Sequence, residues 1–401
     1  MVQIKNPLTI VQQGGGGGST SDDVRFIDYD GTIVAQMSIA EAQALTALPE
    51  GPTHDGLEFK GWTHSLQEVK NTDHILDVGA TYAYADDNNA TVFMWTPNAG
   101  QSATFIINQD VADAVKVDWG DSSTPETSST TGQVNLTHTF STAGPVKTII
   151  TVLNDNAGVW ISLGPGAIQD ADLVIFGKIT ISSFSLTNAK ALILSPNVID
   201  FVASTGLSNF HGVETLIIPK AFTNRPSLSL STVKTLVFPP SWVMGNSQNC
   251  YALTRLVLPD GQNSLFLQNA YSLKKLAIPN PAEGFSLPQQ CLLGTWSLNK
   301  FTVPKECVNI GSRVFANTGI STLKFEKVSD MPTIDPRAVM PTSSIREFDF
   351  TDFTQVPTMN NGDPFTQLDP STYKIYVPIA LETAWKAAAN WSNFANNIIG
   401  V

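Results

Sequence analysis

Leu216-Ile217-Ile218-Pro219 is followed by Leu236-Val237-Phe238-Pro239, Leu256-Val257-Leu258-Pro259 and Leu276-Ala277-Ile278-Pro279, one motif repeated at an interval of 20 residues. A fixed period of this length predicts a solenoid, in which each turn of chain stacks on the last. The motif alternates an inward apolar residue, a tolerant middle residue and a second inward apolar residue, the period-2 pattern of a short strand with one buried face. The proline ends it, because proline has no N–H for a strand ladder. One unit cannot cover its own apolar face, so neighbouring coils must do so.

The motif continues less regularly on both sides. Leu192-Ile193-Leu194-Ser195-Pro196 precedes it, and Phe301-Thr302-Val303-Pro304, Leu323-Lys324-Phe325, Phe348-Asp349-Phe350 and Ile375-Tyr376-Val377-Pro378 follow, giving roughly nine rungs over residues 172–378. Between Pro304 and Leu323 a second apolar set, Val308, Ile310, Phe315, Ile320 and Leu323, is expected to fill the interior of one coil. This stretch, with Ile310-Gly311, Ala316-flanked Phe315 and the rung that follows, resembles the BspA-like leucine-rich repeats. The close of the chain, with Tyr373, Trp385, Trp391 and Phe394, is similar to the tail of many such proteins. The resemblance covers about half of the chain and implies a leucine-rich repeat solenoid over 156–378 with a surface suited to binding. Leu381, Trp385, Ala388, Trp391, Phe394, Ala395 and Ile398 recur at helical spacing, which predicts an amphipathic helical cap within 379–401. A membrane-surface helix would carry a basic face, and only Lys386 is basic here.

The 401-residue length suits three or four modules. With 23 Lys and Arg against 35 Asp and Glu, the net charge is −12, which argues against a nucleic-acid partner. No apolar run is long enough for a membrane span, and the first residues lack a secretory h-region and cleavage site, so cytoplasmic synthesis and assembly are expected. Cys250, Cys291 and Cys307 form no CxxC pair, so they read as buried thiols, neither disulfides nor a zinc site.

Residues 1–23 join a short apolar stretch, Ile4, Leu8, Ile10 and Val11, to the tether Gly14–Gly18. The glycine run is open to two readings, an engineered linker or a native arm that docks on a partner and orders there. In the second reading the four apolar residues anchor the chain.

The stretch from Val24 to Ala35 reads as two strands joined by a turn at Asp30-Gly31. Ser38, with Glu41 three residues on, predicts a capping box on a short helix reaching Leu45. Together with Leu48-Pro49 to Phe59-Lys60-Gly61-Trp62, this segment resembles the small β-grasp module of bacterial surface proteins, the internalin B-repeat type, placed here at 24–88. The extension Thr63–Ala85, with Leu76–Tyr82, resembles the form found in virion proteins of phages and prophages of gut Firmicutes. Asp28 and Asp30 read as turn residues, since the later ligands of a calcium loop are missing. His54, His64 and His74 fall ten apart, match no common metal spacing and read as surface histidines.

Short strands follow at Thr91–Trp95, Ser102–Ile107, Val115–Trp119, Val134–Phe140 and Val146–Val152, the spacing of a β-sandwich over 89–155. Val117-Asp118-Trp119-Gly120-Asp121 and the later His138-Thr139-Phe140 resemble the PKD domain, an Ig-like module. That resemblance implies a structural motif and a spacer or adhesion role, with Asp118 and Asp121 as a calcium pair the lesser alternative. Trp160–Leu163 is expected to be a first, capping strand of the solenoid.

The expected fold class is therefore mostly β and multidomain. GxSxG, P-loop, HExxH and EF-hand motifs are absent, and nothing selects Asp118 and Asp121, or Asp349 and Asp352, as a glycosidase pair. No enzyme activity, cofactor or metal is expected. Between rungs, Trp242, Tyr251, Tyr271, Phe285 and Trp296 are candidate binding residues, able to stack on sugar rings or fill a partner's pocket. Module order and these resemblances imply a virion protein: a fibre, spike or decoration held by its N-terminal arm to other virion proteins and presenting the repeats to a host protein or glycan. A bacterial surface adhesin and a purely structural capsid or tail component are the alternatives. No heptad specifies an oligomer, and a homo-oligomer stays open.

Overall fold

The computed structural model of the chain describes residues 21–154, 158–164, 170–181, 188–201, 212–220, 231–240, 242, 247–340, 344–359, 365 and 368–401. Ile4, Leu8, Ile10, Val11 and the glycine run lie outside the described residues. The chain is mostly β, with mixed sheets in its N-terminal part and a C-terminal β-solenoid of about nine turns over 160–400.

The first unit is a four-stranded sheet, in the order β2-β1-β4-β3, built from β1 (Val24–Ile27), β2 (Ile33–Met37), β3 (Leu57–Trp62) and β4 (Leu76–Tyr84). Asp30 Oδ1 accepts from Thr32 N and Gly31 takes φ +90°, which closes the β1–β2 turn. Two short helices, α1 (Ile39–Gln43) and α2 (Leu66–Lys70), each start on a complete capping box, Ser38 with Glu41 and Ser65 with Glu68. They cover one face of the sheet, where Val24, Phe26, Ala42, Val69, Leu76 and Val78 form a core.

Two facing sheets follow. One carries β5 (Thr91–Trp95), β7 (Val115–Asp118), β8 (Glu126–Thr127) and β10 (Val146–Val152); the other carries β6 (Ser102–Gln109) and β9 (Gly132–Thr139). Trp119 is buried between them, with ring centroids 5.3 Å from Phe105 and 5.1 Å from His138. Asp118 Oδ1 accepts from Gly120 N, and Asp121 accepts from Ser123 N and binds His138 Nε2 at 2.7 Å. Both aspartates are thus engaged in holding the turn.

The solenoid grows directly from these two sheets. β11 (Val159–Leu163) pairs antiparallel with β6 and parallel with β13 (Thr180–Ile181). On the opposite side β12 (Asp170–Phe176) pairs antiparallel with β5 and parallel with β14 (Asn188–Leu194). One apolar core therefore runs without a break from Phe93 to Ile398.

The four regular rungs form a parallel sheet of Thr215–Ile217, Thr235–Val237, Arg255–Val257 and Lys275–Ala277, with paired residues 20 positions apart. Leu216, Leu236 and Leu256 point inward and are buried. Ile218 N donates to Val237 O and Leu258 N to Ala277 O, the last ladder bonds before each proline. Further on, Lys300–Val303, Thr322–Phe325, Glu347–Asp349, Lys374–Val377 and Ile398–Gly400 make a second parallel sheet. A back wall is formed by Ser247–Gln248 with Leu267–Gln268, then by Phe285–Leu287, Cys307–Ile310 and Thr333–Ile334.

Three expectations are corrected here. Among the described residues no α-helix lies between Lys70 and Glu382, so the coils are β-solenoid turns rather than helix-bearing leucine-rich repeats. The arcs between strands turn through left-handed residues such as Asn249, Asn269, Gln290, Arg313 and Asn317, which a right-handed helix does not admit. Val308 is 54% exposed, whereas Ile310, Phe315, Ile320 and Leu323 are buried. The register skips from Phe285↔Cys307 to Ser286↔Asn309, so Val308 is the extra residue of a bulge and is turned outward. The closing segment holds one short helix, α3 (Glu382–Ala387), between 3-10 turns, and ends as a strand. Ala388 is extended and Asn390 takes φ +67°, which stops the helix. Trp385, Trp391 and Phe394 still close the apolar end of the core. No helix among the described residues is long and apolar enough to cross a membrane.

Candidate binding surface

The first unit does not hang from the solenoid; it is seated on it. Ile217, Val237 and Val257, the middle residues of their rungs, face outward and yet are buried. Ile27 and the half-buried Ile33 cover Ile217 and Val237. Gly79 on β4 permits the approach, since a Cβ there would lie 2.5 Å from Ile217 Cγ2. At the rim Asp77 is buried between two arginines. Arg25 donates to it through two parallel bonds of 2.8 Å, and Arg255 Nε lies 3.1 Å from Asp77 Oδ1 as an ion pair. Arg255 also donates to the Asp22 and Asp23 carbonyls at 2.9 and 2.5 Å, and Lys275 Nζ reaches Asp22 at 2.6 Å.

Beside this contact lies a cleft of about 340 Å³, lined by His64, Glu68 and Asp77 on one side and by Pro239, Pro259 and Pro279 on the other. His64 is not a surface histidine: it is buried, and burial pushes its pKa down to about 4. His54 is half-buried, with Nε2 2.7 Å from Asp28, whose other oxygen accepts from Tyr82 Oη at 2.8 Å. His74 pairs with Asp73. Among the described residues no group of three or more His, Cys, Asp or Glu is placed to hold a metal ion. Cys250, Cys291 and Cys307 are buried thiols, and burial raises the pKa of Cys291 and Cys307.

The five candidate aromatics divide by direction. Trp242, which stacks on Phe238 at 4.7 Å, and Phe285 are buried packing residues of the solenoid interior, so neither presents a binding face. Tyr251, Tyr271 and Trp296 occupy one corner of three successive coils. Their rings stack in order, with Tyr251–Tyr271 centroids 5.0 Å apart at 15° and Tyr271–Trp296 4.7 Å apart at 16°. The coil explains the arrangement. Each corner closes with the same bond, Leu253 N to Cys250 O, Leu273 N to Ala270 O and Leu298 N to Thr295 O. The flanking residues of each corner point inward, which leaves the aromatic outside. Asn249 and Asn269, both left-handed, turn the chain into two of the corners, and the Asn269 amide donates to Asn249 Oδ1 at 3.1 Å. Tyr251 is 38% and Trp296 61% exposed.

Sequence reasoning missed Arg255 and the covered outer face, although a signal was present. The middle residues Ile217, Val237 and Val257 are apolar, whereas Thr302, Lys324 and Asp349 in the later rungs are polar. An outward apolar row marks rungs that something else covers. No family model matches this chain, and no curated protein matches it.

Proposed function

We propose that the chain is a non-enzymatic phage or prophage virion protein, a fibre, spike or decoration that attaches to a host surface or glycan through its solenoid. The observation that carries the attachment half of this reading is the solvent-facing stack Tyr251–Tyr271–Trp296, a column of aromatic rings on a rigid frame. Exposed aromatics with a polar rim are surfaces that bind, and rigid scaffolds lose little entropy when they do so. The virion half rests on the resemblance in residues 24–85. Other virion proteins would be met through the N-terminal arm.

The test has two parts. Mass spectrometry and antibody labelling of particles purified from the source should find the chain in virions; its presence in the cell-wall fraction with none in particles would favour an adhesin. Fluorescently labelled full-length protein should bind host cells, and the Trp296→Ala variant should bind them at least several-fold less. Equal binding by the variant would remove the stack as the attachment surface.

A further inference from the structure

The stack has one closed side and one open end. Tyr271 covers one face of the Trp296 indole at 4.7 Å, so the large exposure of Trp296 belongs to its other face and its edges. In the next coil the corresponding corner is Thr318-Gly319. Thr318 is 3% exposed and its Oγ1 turns back to donate to Phe315 O. Gly319 N donates to Thr295 O, and a Cβ on Gly319 would lie 1.9 Å from Trp296 O. No side chain at either position rises in front of the indole. The result is a step in the solenoid surface, with an aromatic wall and a floor of glycine backbone.

The arcs at this corner carry no charge, and the charged residues nearest the step in sequence are the exposed Lys300 and Arg313. Across the four arcs 247–253, 268–273, 290–299 and 314–323 there is no Asp, Glu, Lys, Arg or His. What they offer instead are amides and hydroxyls, with Asn317, Ser297 and Asn299 exposed beside the step.

We propose that this step is a subsite for a single uncharged pyranose ring, lying with its axial C–H face flat on the outer face of Trp296 and its hydroxyls turned to the Asn317 amide. The inference rests on the attachment reading above and names its ligand class. A pyranose with mostly equatorial hydroxyls has an apolar face matched in size to an indole, and a few placed polar groups at the edge fix its orientation. An uncharged rim leaves a carboxylated sugar without a cation to replace its water. One ring gives weak, millimolar binding, which becomes useful when many copies are displayed on one particle.

The experiment is saturation-transfer NMR on the full chain with a panel of methyl glycosides of glucose, galactose, N-acetylglucosamine, N-acetylneuraminic acid and glucuronic acid at tens of millimolar. At least one neutral glycoside is expected to receive saturation at its axial ring protons. Trp296→Ala should weaken that binding about tenfold or more, Trp296→Phe should restore most of it, and Val308→Ala, at an exposed apolar residue outside the stack, should leave it unchanged. Circular dichroism of each variant checks that the fold is kept. Binding by Trp296→Ala equal to that of the parent overturns the subsite, as does preference for either acidic sugar. No binding by any neutral glycoside also overturns it. If host-cell binding persists in that case, the attachment reading survives on another surface; if it is absent too, both fall.

Discussion

His64 shows how one buried residue gives the molecule a pH response. Its Nδ1 lies 3.0 Å from Thr63 Oγ1, which also accepts from Gly79 N, so the ring is fixed under β4 at the seat of the first unit. Burial lowers its pKa to about 4, while the unfolded chain takes up the proton near 6.5. The unfolded state therefore binds more protons between these values. The resulting stability is present above about 6.5 and is lost as pH falls toward 4, a change on the order of 3 kcal/mol. His64→Gln is expected to flatten this acid-side fall in thermal denaturation; an unchanged pH slope would show that another group carries it. His54 acts with the opposite sign, because its hydrogen bond to Asp28 raises its pKa. Its contribution is full below about 6.5 and fades as pH rises through the raised value, so His54→Gln should cost more in mild acid than in mild alkali. Gly120 is a stricter case. It takes φ +81°, and a Cβ would lie 2.4 Å from Lys147 O. Gly120→Ala is expected to cost more than about 2 kcal/mol, read from the urea midpoint.

At the scale of the element, the seat of the first unit on the solenoid depends on a charge arrangement that has few substitutes. Removing Arg255 leaves Asp77 buried with Arg25 alone and takes one donor from each of the Asp22 and Asp23 carbonyls, the second of which still accepts from Leu76 N. Because Asp77 keeps its two bonds from Arg25, the cost should fall below the range of about 3–5 kcal/mol typical of a buried charge left with no partner. Arg255→Ala should therefore lower the unfolding midpoint and open residues 24–84 to trypsin, whereas an unaltered digestion pattern would show that apolar contacts alone hold the unit. The rungs themselves were legible because Leu, a variable residue, an apolar residue and Pro recur at one period. So were the hairpin at Asp30-Gly31 and the box at Ser38 and Glu41, whose signals are local. The second box at Ser65 and Glu68 has the same local signal and was missed in the long extension after Trp62. The back wall was harder to read, since strands as short as Leu267–Gln268 carry no pattern that separates them from loop. The closing helix misled because Trp385, Trp391 and Phe394 are buried at helical spacing while the backbone between them turns at Asn390. Trp242 and Phe285 could not be told from Tyr251 and Trp296 in sequence, because direction within a coil is set by the corner and not by residue type.

The whole molecule behaves as one packed body across the borders read from the sequence. β5 and β6 of the facing sheets are hydrogen-bonded to β12 and β11 of the first coils, so the sheets close the open end of the solenoid. Calorimetry is expected to give one unfolding transition for the sheets and the solenoid together, and a chain cut to residues 158–401 should aggregate through the bared Val159, Ile161 and Val174. Separate transitions, or a soluble fragment, would contradict the shared core. The seat of the first unit also sets an order of events during synthesis. Arg255 meets Leu76 across a sequence separation of 179 residues, and at about 5–20 residues per second that gap lasts roughly 10–40 s. Through this interval the Ile27, Ile33 and Gly79 face has emerged from the ribosome and has nothing to sit on. Nascent chains stalled before residue 215 should be held by chaperones far more than chains stalled after 280, and the moment of greatest hazard for this protein is its birth, before its own later half arrives to shelter the earlier one.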